Sequence, residues 1–177
     1  MSTATTPSTQ GATAPSVIAD AAKGAQYLTF ICAGEEYGIE ILRVQEIRGW
    51  DKVTRVPYAP PYVLGIMNLR GVIVPIIDLR TRFNLEKVPF NASTVVIVVH
   101  VHISTGEQTA GIVVDGVSEV YSFAASAIVP TPNLGRTVDS VCVSNVATVD
   151  GKMILLLDID TLVGTCVESV VQQQLNP

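Results

Sequence analysis

The sequence predicts an all-β fold of two small β-barrels packed on each other, with short helices beside them. Three observations lead there. Val, Ile, Leu and Thr recur in runs of four to eight residues bounded by Gly, Pro, Asn and Asp, the pattern of short strands closed by turns. A set of residues repeats in register along the chain. Helical periodicity is scarce, and many short strands with close turns build barrels or sandwiches.

Taken in order, residues 1–25 are rich in Ser, Thr, Ala and Pro and carry no aromatic residue before Tyr27. Such a segment buries too little apolar area to offset its ordering entropy, so a disordered tail is expected. Strands are predicted at 27–32, 37–41, 44–48, 63–69, 72–77, 94–102, 109–114, 117–123, 141–147 and 153–157. Short helices are expected at 79–85 and 159–167, with a frayed tail over 169–177. The apolar runs 95–99 and 154–157 lack two-residue alternation, which implies strands buried on both faces.

The repeat comes in two blocks. Gly38-Ile39, Val44, Glu46-Ile47 and Val56-Pro57 match Gly111-Ile112, Val117, Glu119-Val120 and Val129-Pro130 at an offset of 73 residues. Gly65-Ile66, Gly71, Ile73 and Asp78-Leu79 match Asn145-Val146, Gly151, Met153 and Asp158-Ile159 at an offset of 80. The change of offset predicts a loop between Pro130 and Val141, where Thr131, Pro132, Asn133 and Gly135 stand. A single barrel of about 60 residues is marginal alone. Two barrels sharing an apolar layer are therefore expected, at 35–90 and 91–168, with the first strand open to sharing between them.

Composition excludes several functions. Hydrophobic residues are 48% and charged residues 15%, too apolar for a disordered chain. The net charge of -5 comes with no basic cluster, which removes the electrostatic footprint for nucleic acid or an anionic membrane. Aromatic residues are 6%, too few for base-stacking stripes. The most apolar window, 59–79, contains Pro60, Pro61, Asn68, Arg70, Pro75 and Asp78 and fails as a membrane span. No cationic start or apolar h-region opens the chain, so a cytoplasmic protein is expected. Cys32, Cys142 and Cys166 are widely spaced, each beside apolar residues, and read as buried thiols.

Catalytic chemistry is hard to find. There is no GxSxG elbow and no GxGxxG. Gly151-Lys152 resembles the end of a phosphate loop, but Met153 replaces the metal-binding Ser or Thr, so Gly151 reads as a turn. His100 and His102 share one strand face without an identifiable third ligand, and read as an edge pair. Asp158 and Asp160 could be imagined as a metal or acid–base pair. Asp160 reads instead as the cap of the last helix, and Asp158 echoes Asp78. In Val114-Asp115-Gly116-Val117, Asp115 is expected to bond its local backbone and Gly116 to take positive φ. Asn91-Ala92-Ser93 fits a glycosylation sequon that a cytosolic chain would not use. No catalytic residue, cofactor or metal site is expected. Asn68-Leu69-Arg70-Gly71 is less ordinary. It sets a guanidinium between apolar strands beside a turn glycine. Arg70 is either a solvated hairpin residue or an arginine held out to fork onto a partner's carboxylate or carbonyls.

At these residues the chain resembles a known family. Residues 37–49 (YGIEILRVQEIRG), 65–79 (GIMNLRGVIVPIIDL) and 111–117 (GIVVDGV) are similar to the characteristic blocks of the CheW-like domain family, and together they span about 26–168. The resemblance implies two five-stranded, SH3-like barrels. It also implies a non-enzymatic adaptor joining chemoreceptor helical tips to a CheA-type histidine kinase in membrane-associated arrays, without membrane insertion. By the same resemblance a receptor groove between the barrels involves Val44, Glu46, Gly65, Arg70, Val117 and Val120. The kinase contact is expected at a barrel end. Members usually carry Gly where Asn145 stands and often an aromatic where Cys142 stands, so a positive-φ turn at Asn145 and a looser core near Cys142 are expected. No dimerisation helix, ATP site or phospho-acceptor domain fits in 177 residues beside the domain, so a free-standing adaptor is expected rather than the kinase itself. The alternative is a small-molecule-sensing module with its pocket between the barrels.

Overall fold

The computed structural model describes residues 24–132 and 142–175. Expectations for the N-terminal tail and for most of the loop after Pro132 lie outside the described residues. Strands β1 (Ala25–Cys32), β2 (Glu35–Glu40) and β3 (Val44–Gly49) lead to the hairpin of β4 (Val63–Leu69) and β5 (Val72–Asp78), then to helix α1 (Leu79–Arg82). The second half holds β6 (Val95–Ile103), β7 (Gly106–Val114), β8 (Gly116–Phe123), β9 (Ile128–Pro130), β10 (Val143–Val149), β11 (Lys152–Leu157) and helix α2 (Ile159–Leu175). Strand β9 was not expected. Helix α2 runs past Val167 because Gln172, Gln173 and Gln174 continue a helix well and no Gly or Pro interrupts them.

Two-residue turns close the hairpins as the sequence indicates. Arg70 and Gly71 have φ 53° and 89°, and their repeat counterparts Asp150 and Gly151 have 49° and 78°. These are paired left-handed residues, the turn whose twist matches flanking strands.

The strands form two sheets, β8-β1-β2-β11-β10-β9 and β3-β6-β7-β5-β4. By the repeat, β2 corresponds to β7, β3 to β8, β4 to β10 and β5 to β11, so the two orders are equivalent. The sheets do not follow the halves at 35–90 and 91–168. The β1–β2 hairpin joins β8–β11, and β6–β7 joins β3–β5. The halves have exchanged their first hairpins. The parallel pairs that result are equivalent too: Ile76 lies opposite Gly111, and Leu156 opposite Gly38. A Cβ on Gly111 would fall 2.6 Å from Ile76 Cδ1, and one on Gly38 would fall 2.8 Å from Leu156 Cδ2. Glycine at the head of each repeat block thus lets the neighbouring strand's side chain cross it. The expected match of Val56 to Val129 slips by two. Thr54 bridges Ile66 as Val129 pairs with Val146.

Three apolar layers result. Met67, Leu69, Val74, Ile76, Val96, Val98 and Val113 fill the first barrel, and Tyr27, Phe123, Ala147, Ile154 and Leu156 fill the second. Between them lies the expected shared layer, with Leu28, Phe30 and Ile39 from one sheet, Ile77, Ile97, Val99 and Ile112 from the other, and Leu162, Val163 and Cys166 from α2. Tyr37 stacks between Phe30 and Phe83 there, with ring centroids 5.9 and 5.4 Å away. Strand β6 supplies the shared layer from one face and the first barrel from the other, as its unbroken apolar run indicates. Cys32, Cys142 and Cys166 are buried and form no disulfide, and the core at Cys142 is closed. Among the described residues no helix is long and apolar enough to cross a membrane.

Candidate functional site

Val44 and Val117 sit at equivalent edges of the two sheets. Val44 on β3 lies opposite Val99, and Val117 on β8 lies opposite Phe30. Both are half-buried against the shared layer. Val120, opposite Leu28, faces the same way and is 49% exposed. Edge strands have no outer neighbour to cover them, so these valines border the shared layer where it reaches solvent.

Glu46 and Arg70 form a different part of the site. A bulge between Val44 and Glu46 shifts the register, so Glu46 lies opposite Val98, which faces the first barrel. There Glu46 Oε2 accepts a hydrogen bond from Arg70 Nη2 at 2.9 Å. Arg48 approaches the other oxygen at 3.8 Å. The Arg70 side chain is 84% exposed. Asn68 Oδ1 accepts from the Gly71 N–H at 2.8 Å and holds the turn that projects it. The pair lies within one sheet and does not tie the barrels together. Gln45, Leu69, Val72, Val74 and Thr109 line the shallow cleft around it.

Gly65 is buried and belongs to the framework. Its φ is +152°, and a Cβ there would fall 2.2 Å from the Thr54 carbonyl oxygen. At the equivalent bulge Asn145 does not have positive φ. The expected left-handed turn is corrected: Asn145 continues β10, opposite Leu156.

Two ion pairs were missed in the sequence. Asp115 is not a local turn residue, and Gly116 does not have positive φ. The Asp115 carboxylate instead accepts from Arg80 Nε at 2.8 Å, from Arg80 Nη2 at 2.6 Å and from the Ala33 N–H at 2.8 Å. The Arg80 hydrogen bonds hold this carboxyl below its ordinary value against the opposing effect of burial, and the Ala33 N–H helps. The neighbouring Cys32 thiol is pushed up to about 12, first by burial and then by the Asp115 charge, so it stays protonated and unreactive. Asp160 does not cap α2. Asp158 does, accepting from the Asp160 and Thr161 N–H groups, much as Asp78 accepts from Arg80 N–H before α1. Asp160 binds Arg43, with Oδ2 2.6 Å from Nη2, and accepts from the His102 N–H at 2.7 Å. Arg43 also meets His102 Nδ1, while His100 lies 3.9 Å from Glu107. The repeat held the signal for these pairs, since Asp78-Leu79-Arg80 against Asp158-Ile159-Asp160 reverses charge at its third residue.

This arrangement suits surface contact: apolar edges, an exposed guanidinium anchored by a carboxylate, and ion pairs saturated within the molecule. The comparisons agree in kind. A model of the CheW-like domain matches residues 26–166. The chain is 44% identical to the chemotaxis protein CheW of Klebsiella aerogenes, over 80% of this chain and 83% of that one. It is 32% identical to CheW of Rhizobium meliloti, over 78% and 87%. The crystal structure of the scaffolding protein CheW from Thermoanaerobacter tengcongensis is similar with a TM-score of 0.71 and 34% identity, covering 78% of this chain and 92% of that one. By sequence and by fold, this chain belongs to the CheW-like domain family.

Proposed function

We propose that this chain is a chemotaxis adaptor that couples chemoreceptors to a CheA-type histidine kinase and performs no catalysis itself. In this reading it works in the cytoplasm, held at membrane-bound receptor arrays by protein contacts. The observation that supports it is that Val44 and Val117, at equivalent edges of the two sheets, are each half-buried at the border of the shared layer, in a chain whose relatives are chemotaxis proteins. An amphipathic helix from a receptor tip lays its apolar face along such a border. Arg70, projected by its turn and steadied by Glu46, supplies a polar anchor at the rim. Gly65 acts indirectly, by letting β4 pass under Thr54. The kinase meets a barrel end through strand-edge and apolar packing.

The sensing alternative has less support. Phe30, Ile39, Ile77, Ile97, Ile112 and Leu162 fill the space between the barrels that a ligand would need.

Co-sedimentation with receptor-bearing membranes tests the proposal. The purified chain is expected to pellet with them and to carry a CheA-type kinase into the pellet. A chain that stays in the supernatant, with or without kinase, overturns it.

A further inference from the structure

The chain crosses between the two sheets twice, through the 3-10 turn Ile41–Arg43 between β2 and β3 and through Asp115 between β7 and β8. Each crossover carries one member of a two-point ion pair: Arg43 with Asp160, and Asp115 with Arg80. Each partner is the second residue of the helix that leaves β11 or β5. Each carboxylate also takes a backbone N–H from the sheet across the crossover or helix: His102 on β6 for Asp160, and Ala33 in the β1–β2 turn for Asp115. The side chains are between 16% and 27% exposed, so solvent screens them only in part. Both pairs therefore fasten three elements drawn from both barrels.

Their place along the chain gives them a consequence. Arg43 immediately precedes Val44, and Asp115 stands two residues before Val117. Fastening a crossover fixes where the following edge strand begins, and with it the valine at the border of the shared layer. We infer that Arg43–Asp160 and Arg80–Asp115 are positioning pairs that set the angle between the barrels, and so the shape of the valine-bordered groove offered to a receptor helix. This rests on the function proposed above. Two-point guanidinium–carboxylate pairing suits the task, because it fixes orientation as well as distance.

The test uses the full chain with Arg80→Asp, with Asp115→Arg, and with both together. The double variant restores a pair of reversed polarity, the polarity that Arg43 and Asp160 already show. Two readouts are taken: affinity for a soluble chemoreceptor tip fragment, and the distance between spin labels placed by Lys52→Cys in the first barrel and Lys152→Cys in the second. Each single variant is expected to bind about tenfold more weakly and to broaden the distance distribution, and the double variant to recover most of both. Unchanged distances in the folded single variants overturn the inference, and so does a double variant no better than the singles. If the parent chain does not bind the fragment, the adaptor reading fails on its own, and the label distances still decide whether the pairs set the angle.

Discussion

Arg80 and Asp160 occupy the same position of the internal repeat and carry opposite charge. Each is the second residue after a capping aspartate, and each pairs with a crossover residue of the sign it needs. This polarity bears on which hairpin goes where. If the first hairpin stayed with its own half, β2 would lie beside β5 and bring Arg43 to Arg80. The second would bring Asp115 to Asp160. Like charges would meet at both places, so the charge pattern selects the exchanged arrangement over the simple one. The exchange R80D/D160R keeps net charge and composition but sets like charges together in the native arrangement. It is expected to cost about 2–4 kcal/mol, read by urea unfolding. A loss below about 1 kcal/mol would show that the polarity is incidental.

Arg70→Ala is expected to melt close to the parent. An ion pair this exposed contributes roughly 0–1 kcal/mol, and removing Arg70 also relieves some left-handed crowding in the turn only if Gly follows. Arg70→Gly should therefore be at least as stable as Arg70→Ala. Both should lose receptor binding by about thirtyfold. Melting curves and receptor-fragment titrations on the two variants check this, and normal binding by either removes Arg70 from the site.

Gly65→Ala and Gly71→Ala should differ sharply although both glycines have positive φ. Around Gly71 nothing lies within 4 Å of an added Cβ, so the cost is the left-handed penalty of about 1 kcal/mol. At Gly65 the added carbon would overlap the Thr54 carbonyl, and a backbone must move. A loss above about 2 kcal/mol is expected, with binding falling because the fold does. Thermal unfolding of both variants is the measurement.

Asn145→Gly should destabilise by about 0.5–1 kcal/mol. With no positive φ to relieve, the substitution only widens the unfolded ensemble. A stabilised variant in denaturant titration would contradict the backbone described here.

The Asp115 carboxyl gives stability a pH dependence of known sign. Its folded value is held below 3.8, so its contribution is complete above the unfolded value and is lost as pH falls through the folded one. Asp115→Asn is expected to lower the melting temperature at pH 7 and to flatten its decline below about pH 4. A decline of unchanged steepness would assign acid sensitivity to other carboxyls.

Much of the fold was legible because strand signals are local. The runs at 63–69 and 95–99 and the glycines at 71 and 151 name their own conformations. Strand β9 was missed since Ile128-Val129-Pro130 is too short to show alternation. The hairpin exchange was illegible for a different reason. A repeat says that two halves are alike, and likeness does not say which copy a strand pairs with. Asp115 and Asp160 were misread because local bonding was favoured over partners more than thirty residues away. For the site, the border valines and the Arg70 turn followed from resemblance and pattern. The Glu46–Arg70 contact did not, because it depends on a bulge that shifts Glu46 toward the first barrel.

The exchanged hairpins also impose a timetable. Strand β2 pairs with β11 through Tyr37 and Leu155, so its partner is synthesised roughly 120 residues after it. At a translation rate of about 5–20 residues per second, the β1–β2 ribbon waits on the order of 10 s outside the ribosome. Through that interval Phe30, Ile39 and Leu28 lack the part of their cover that Leu157, Leu162 and Val163 supply. Meanwhile β3–β5 has emerged and wants a hairpin of the same shape. Its own β6–β7 hairpin follows next in the chain, so the first sheet is complete once Val114 has emerged, while the second still waits for Leu157.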